Sequence, residues 1–138
     1  MPADDCDAIK YHRNDQRRLT IVSVTGPCLI DDILRVLDRQ ASEHTWEYAS
    51  LYDLRAAVID TSAPTDLQRI ANRVKVLSAG RQRGEVGIAI QPDPALFLLA
   101  LMYTSLTKGF LTIEVLLSAT QIRAWLARNA AGGSPHQP

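Results

Sequence analysis

Along this chain the spacing of apolar residues switches between two and roughly three and a half, and each switch marks an element. Ile9 and Tyr11 alternate with Lys10 and His12, which predicts a short half-buried strand. Asn14, Asp15 and Gln16 turn the chain, and Leu19 to Thr25 (LTIVSVT) is a β-branched strand ended by Gly26-Pro27. A few polar residues between two strands predict an antiparallel hairpin. Ile30, Ile33, Leu34, Leu37 and Ala41 then fall on one helical face, with Arg35, Asp38 and Arg39 behind them. Asp31 and Asp32 sit in the first turn of that helix, where its dipole favours anions.

The alternation continues to the C-terminus. Tyr48 to Leu54 (YASLYDL) predicts the third strand. Thr65 and Gln68 have the spacing of a capping box and open a helix with Leu67, Ile70, Ala71, Val74 and Leu77 inward. Val86 to Ile90 (VGIAI) is short and continuously apolar, as in a strand covered on both faces. Asp93-Pro94 opens the next helix as N-cap and first helical residue, and Lys108-Gly109 closes it. Leu111 to Leu117 (LTIEVLL) is the last strand; Ser118 and Gln121 cap a final helix that buries Ile122, Trp125 and Leu126.

The predicted order is β-β-α-β-α-β-α-β-α. Strands alternating with helices imply right-handed crossovers, hence an α/β fold with one mixed, mainly parallel five-stranded sheet and four helices. Residues 1–6 read as a disordered leader, 7–129 as the domain and 130–138 as a flexible tail.

One segment breaks the pattern. Ala95 to Tyr103 (ALFLLALMY) is apolar all round, whereas a helix over a sheet needs only one apolar stripe. With Leu96, Leu99, Ala100 and Tyr103 toward the sheet, Phe97, Leu98, Leu101 and Met102 lie on other faces. Three arrangements relieve this: a central crossover covered by neighbours, a homodimer seam, or the wall of an apolar pocket. A ligand carrier would need such a pocket, lined by residues such as Phe97, Leu101 and Met102.

Composition then removes whole classes of function. Fifteen basic and fifteen acidic residues cancel, so the electrostatic footprint of a nucleic-acid binder is missing. The longest apolar run is about half of the roughly 20 residues that cross a bilayer, so no transmembrane segment is expected. Met1 to Asp7 lacks the apolar core of a secretory leader, and Cys6 and Cys28 read as reduced thiols, which together suggest a cytoplasmic protein. His12, His44 and His136 are scattered without other ligands at metal-binding spacing. The sequence contains neither a G-x-S-x-G elbow nor a Walker or Rossmann glycine pattern. The expectation is a protein without catalysis, cofactor or metal.

Two polar groupings remain. Asp53 and Arg55 lie two apart at the end of a strand, placed to frame a polar pocket or to pair with each other. Arg69, Arg73, Lys75, Arg81 and Arg83 make a basic stretch that reads as a solvated helix face, or as a docking face for phosphate, anionic lipid or an acidic partner.

In this order and at 138 residues, the chain resembles the STAS domain, the fold of the anti-sigma-factor antagonist SpoIIAA and its relatives. The residues that carry the resemblance are Val24-Thr25-Gly26-Pro27 running into Asp31-Asp32, Leu51-Tyr52-Asp53-Leu54-Arg55, and Ile122-Arg123-Ala124-Trp125-Leu126. They suggest the SpoIIAA-like branch, grouped with lipid-binding Sec14-type domains, over residues 7–128.

The resemblance implies a bacterial regulatory module that binds another protein; the apolar helix adds the option of a homodimer seam with a second copy. Its alternative, from the Sec14 side, is a carrier for an apolar or lipid-like ligand. In the antagonists a kinase phosphorylates a Ser in an Asp-Ser-Ser-Gly-like motif after the third strand. The corresponding stretch here is Asp60-Thr61-Ser62-Ala63-Pro64, which keeps the acid and two hydroxyls and replaces the Gly. Asp60, Thr61 and Ser62 are therefore candidates for a phospho-switch, with Asp53 and Arg55 beside them as partner-binding candidates.

Overall fold

The computed structural model describes residues 9–59 and 65–129. Its elements are β1 (Ile9–Asn14), β2 (Leu19–Pro27), α1 (Ile30–Ser42), β3 (Ala49–Val58), α2 (Thr65–Leu77), β4 (Val86–Ala89), α3 (Pro94–Leu106), β5 (Ile113–Leu116) and α4 (Ala119–Asn129). This is the order that the apolar spacing predicts. The five strands form one sheet in sequential order, β1 antiparallel to β2 and every later pair parallel.

Sequential order decides where the helices go. Each parallel crossover steps one strand in the same direction, so right-handed connections put α1, α2 and α3 on one face. They pack there as a row, α1 on α2 and α2 on α3, while α4 covers β4 and β5 from the opposite face. Alternation along the strands supplies both faces. Val22, Val24, Tyr52 and Val86 point to the helix row; Leu19, Leu51, Ala89 and Leu116 point to the α4 side. Gly87 lets α4 approach, because a Cβ there would lie 2.8 Å from Trp125 Cε2.

β3 runs to Val58, well past the predicted end at Leu54. Its ladder with β2 shifts register between Ser23 and Thr25 and then continues to Pro27 opposite Val58. Arg55, Ala56 and Ala57 have little strand propensity of their own, so the neighbouring strand imposes the extension. β5 is shorter than predicted, Ile113–Leu116 rather than Leu111 to Leu117.

The helix ends follow local chemistry. Asp93 caps α3, its Oδ1 accepting from the N–H groups of Ala95 at 2.8 Å and Leu96 at 3.2 Å. Ser118 and Gln121 act reciprocally at α4: Ser118 Oγ accepts from the Gln121 N–H, and Gln121 Oε1 accepts from Leu117. Among the described residues no helix is long and apolar enough to cross a membrane.

Candidate functional site

The row of three helices does not close completely on the sheet. Between them lies a cavity of about 150 Å³. Its floor is Tyr52 and Leu54 of β3 with Val86, Ile88 and Ile90 of and just after β4. Ile33 and Leu37 of α1 and Leu67, Ile70 and Val74 of α2 form one wall; Leu96, Leu99, Ala100 and Tyr103 of α3 form the other. The cavity therefore runs along the strands. Ile59, Leu67 and Leu96 belong to the carboxyl ends of β3 and β4, while Arg83 and Tyr103 belong to the amino end of β4.

At that inner end the lining changes character. Arg83 is 5% exposed and lines the cavity. Its guanidinium lies on the Trp46 ring, 4.2 Å from the centroid, an attraction between a cation and an aromatic face. Nη2 donates to Gln40 Oε1 at 3.0 Å and to Tyr52 Oη at 3.1 Å; Nη1 reaches the Trp46 carbonyl at 3.4 Å. The Tyr52 hydroxyl donates to the same Gln40 oxygen at 2.6 Å. Gln40 Nε2 in turn donates to Thr20 Oγ1 and Ser50 Oγ, themselves 2.8 Å apart. A continuous polar network thus links α1, β2, β3 and the residue that leads into β4.

That network leaves two things unspent. Arg83 Nε is buried with no hydrogen-bond partner. Among the described residues no carboxylate lies within ion-pair distance of Arg83. Buried charge is ordinarily paired, because desolvation costs several kcal/mol per ion.

Two tyrosines complete the polar end. Burial pushes the Tyr52 phenol up, partly offset by the Arg83 cation. Burial also pushes Tyr103 up, Tyr52 adds to this and Arg83 opposes it. Both therefore stay protonated and can donate.

The sequence candidates fall elsewhere. Phe97, Leu98, Leu101 and Met102 are exposed by 38%, 58%, 47% and 37% and lie on the outer face of α3. Of the three arrangements open for this helix, complete burial does not hold; Ala100 is its only buried residue. The pocket is lined by the opposite face, not by Phe97, Leu101 and Met102, because the 3.6-residue period separates the two sets.

Asp53 and Arg55 form a two-pronged ion pair at 2.9 and 2.8 Å. Hydrogen bonds from Arg55 hold the Asp53 carboxyl below its usual range. They border an open cleft of about 600 Å³ and mixed lining at the carboxyl ends of the strands, with Ser23, Thr25, Gln91 and Ser118 among its polar residues. Its charges are spent on each other, and Gln91 Nε2 donates to the Arg55 carbonyl at 2.7 Å. Asp60, Thr61 and Ser62 lie outside the described residues.

The basic stretch does not act as one face. Arg69 and Arg73 pair with Asp31 and Asp38, tying α2 to α1. Arg81 donates to the Leu77 and Ala41 carbonyls. Arg83 is the correction: it is a core residue, not part of a solvated surface. Sequence reasoning also passed over Gln40, Thr20 and Ser50. Gln40 sits on the apolar face of α1, three residues after Leu37, and that lone polar residue on a buried stripe was the available signal.

The sequence matches no protein-family model, and no curated protein matches it.

Proposed function

We propose that this chain is a non-catalytic binding domain of STAS-like fold whose pocket, between α3 and the sheet, holds a small apolar ligand. The sequential sheet, with three helices on one face and one on the other, supports the resemblance to STAS domains. The observation that carries the function is the cavity itself, an apolar space of about 150 Å³ left within the helix-covered side of the domain. Interiors pack to crystal density and rarely keep such a void. An engineered apolar cavity of about this volume binds one benzene. Two acyl chains of a phospholipid would not fit, so the ligand is smaller than a membrane lipid.

Amide NMR with added toluene, a neutral probe, tests the reading. Saturable shifts at Ile88, Ala100 and Leu99 are expected. Resonances that stay in place at millimolar toluene would overturn it.

A second reading, a regulatory protein-interaction module, rests on the outer face of α3. Phe97, Leu98, Leu101 and Met102 form an apolar surface on a helix without a single charged residue. A second copy of the chain can meet such a surface without like-charge repulsion, and burial would recover roughly 1.5–3 kcal/mol for each large side chain fully covered. Sedimentation equilibrium tests it: a dimer that Leu101→Glu converts to monomer is expected, and a wild-type monomer at high micromolar concentration would sink it.

A further inference from the structure

An apolar ligand alone gives no role to the charge at the inner end of the cavity. We infer that the pocket takes a small organic monocarboxylate, its apolar body between α3 and the sheet and its carboxylate on Arg83 and the Tyr103 hydroxyl. This rests on the pocket reading above and adds the chemical class of the ligand.

Three observations converge. The volume limits the body to about six carbons, the size of a benzene ring. Arg83 is buried at the end of that volume, and no carboxylate among the described residues lies within ion-pair distance of it. Of a guanidinium's five N–H donors, the contacts to Gln40, Tyr52 and Trp46 occupy three, and Nε is without an acceptor. Both Nη2 hydrogens are taken, so a carboxylate at this end would be met by the remaining Nη1 hydrogen together with the Tyr103 hydroxyl, beside a charge that no carboxylate among the described residues neutralises. A single cation suits a monoanion; a phosphate monoester would bring a second charge with nothing to meet it.

The groups around Arg83 favour an anion further. Gln40 and Tyr52 fix the guanidinium in place, so little side-chain entropy is lost when the ligand docks. Tyr103 faces the same space with a phenol kept protonated, ready to donate to an oxyanion. The Trp46 ring covers one face of the guanidinium and keeps water from it.

Calorimetric titration of the full chain at neutral pH and fixed ionic strength tests this with matched pairs: benzoate against benzyl alcohol, and hexanoate against hexan-1-ol. Each acid should bind at least about tenfold more tightly than its alcohol, as expected for hydrogen bonds to a charged group. Tyr103→Phe, which keeps the shape of the wall, should weaken the acids more than the alcohols and narrow that ratio. Ala100→Leu, which fills the space, should abolish binding of all four. A preference for benzoate assigns a flat body and one for hexanoate a chain; either supports the inference. Alcohols that bind as tightly as the acids would overturn it and leave the pocket reading standing. If none of the four binds, and toluene also fails, both fall together.

Discussion

Ala100→Leu is the substitution whose sign decides whether the space under α3 is real. Ala100 is 8% exposed, lies mid-helix and faces the cavity. Leucine adds three carbons, each worth roughly 0.8 kcal/mol when taken from water into an apolar space, so about 2.4 kcal/mol is available. The void sets a ceiling. At about 24 cal/mol per Å³, a fully enclosed void of 150 Å³ would forgo about 3.6 kcal/mol; this space is partly open, so that figure is an upper bound, and the gain from leucine fits beneath it. Helix propensity is nearly neutral, since Ala and Leu both rank among the best helix formers.

For a chain of this length, roughly 4 °C of melting temperature accompanies each kcal/mol, which puts the expected rise at about 5–10 °C. Differential scanning calorimetry of the wild type and the variant reads it directly. A core without free volume behaves oppositely, because inserting a large side chain into packed surroundings costs about 1–3 kcal/mol. A fall in melting temperature would therefore refute the cavity. Leu98→Ala is the control, on the outer face of the same helix and 58% exposed, and should shift stability by no more than about 0.5 kcal/mol in the monomer.

Other substitutions probe the remaining supports. Gly87→Val should cost about 1–3 kcal/mol in urea denaturation, because its Cβ would press on the Trp125 indole at 2.8 and 3.0 Å and on Leu116 at 3.2 Å. Gln40→Leu keeps the bulk but leaves Arg83 Nη2, Thr20 and Ser50 short of partners, a loss of about 2–5 kcal/mol by the same measurement. High pH should unfold the protein: Tyr52 and Tyr103 have raised pKa values in the fold, so above about pH 10 the unfolded chain releases protons that the folded one keeps. Stability is full below that pH and declines above it by up to about 1.4 kcal/mol per pH unit for each tyrosine; Tyr103→Phe should make the decline shallower in alkaline denaturation followed by circular dichroism.

Much of this fold can be read from periodicity, because burial on a sheet face repeats every two residues and burial on a helix repeats every 3.6. Asp93-Pro94 and Ser118 with Gln121 place two helix starts by backbone chemistry alone. Thr65 and Gln68 repeat the same signature, yet Gln68 donates its amide to Asn72, since an exposed Gln has partners on both sides. The far half of β3 was illegible because the adjoining strand, not its own residues, holds it extended. The pocket was partly legible: the inner set Leu96, Leu99, Ala100 and Tyr103 follows from helical spacing, but no spacing says that a helix stands off its sheet.

Arg83 was the least legible residue, and the reason is general. A charged residue in a short loop between a helix and a strand is normally solvated, and nothing adjacent to Arg83 in sequence differs from that norm. Its burial depends on Gln40, Tyr52 and Trp46, which lie far from it along the chain and meet it only after β3 and β4 pair. Local pattern carries no trace of contacts that form in that way.

The same network explains why the space persists instead of collapsing. Gln40 ties α1 to β2 and β3, and Arg83 ties the entry to β4 to α1 and β3. Arg69 with Asp31 and Arg73 with Asp38 hold α2 against α1. The floor and one wall of the cavity are thus fixed by directional bonds. Only α3 rests on apolar contact alone over the cavity, against α2 and β5, with Ala100 its one buried residue. Apolar contact is non-directional, so it sets no unique standoff for that helix. Leu96, Leu99 and Tyr103 flank the small Ala100 along the face of the helix that lines the space opposite Ile88 and Ile90. A ligand that fills the gap and binds the folded chain alone stabilises this fold by an amount that grows with the logarithm of its concentration above Kd. The apolar inner face of α3 and the unpaired charge of Arg83 then bound one space, the helix along its wall and the cation at its inner end.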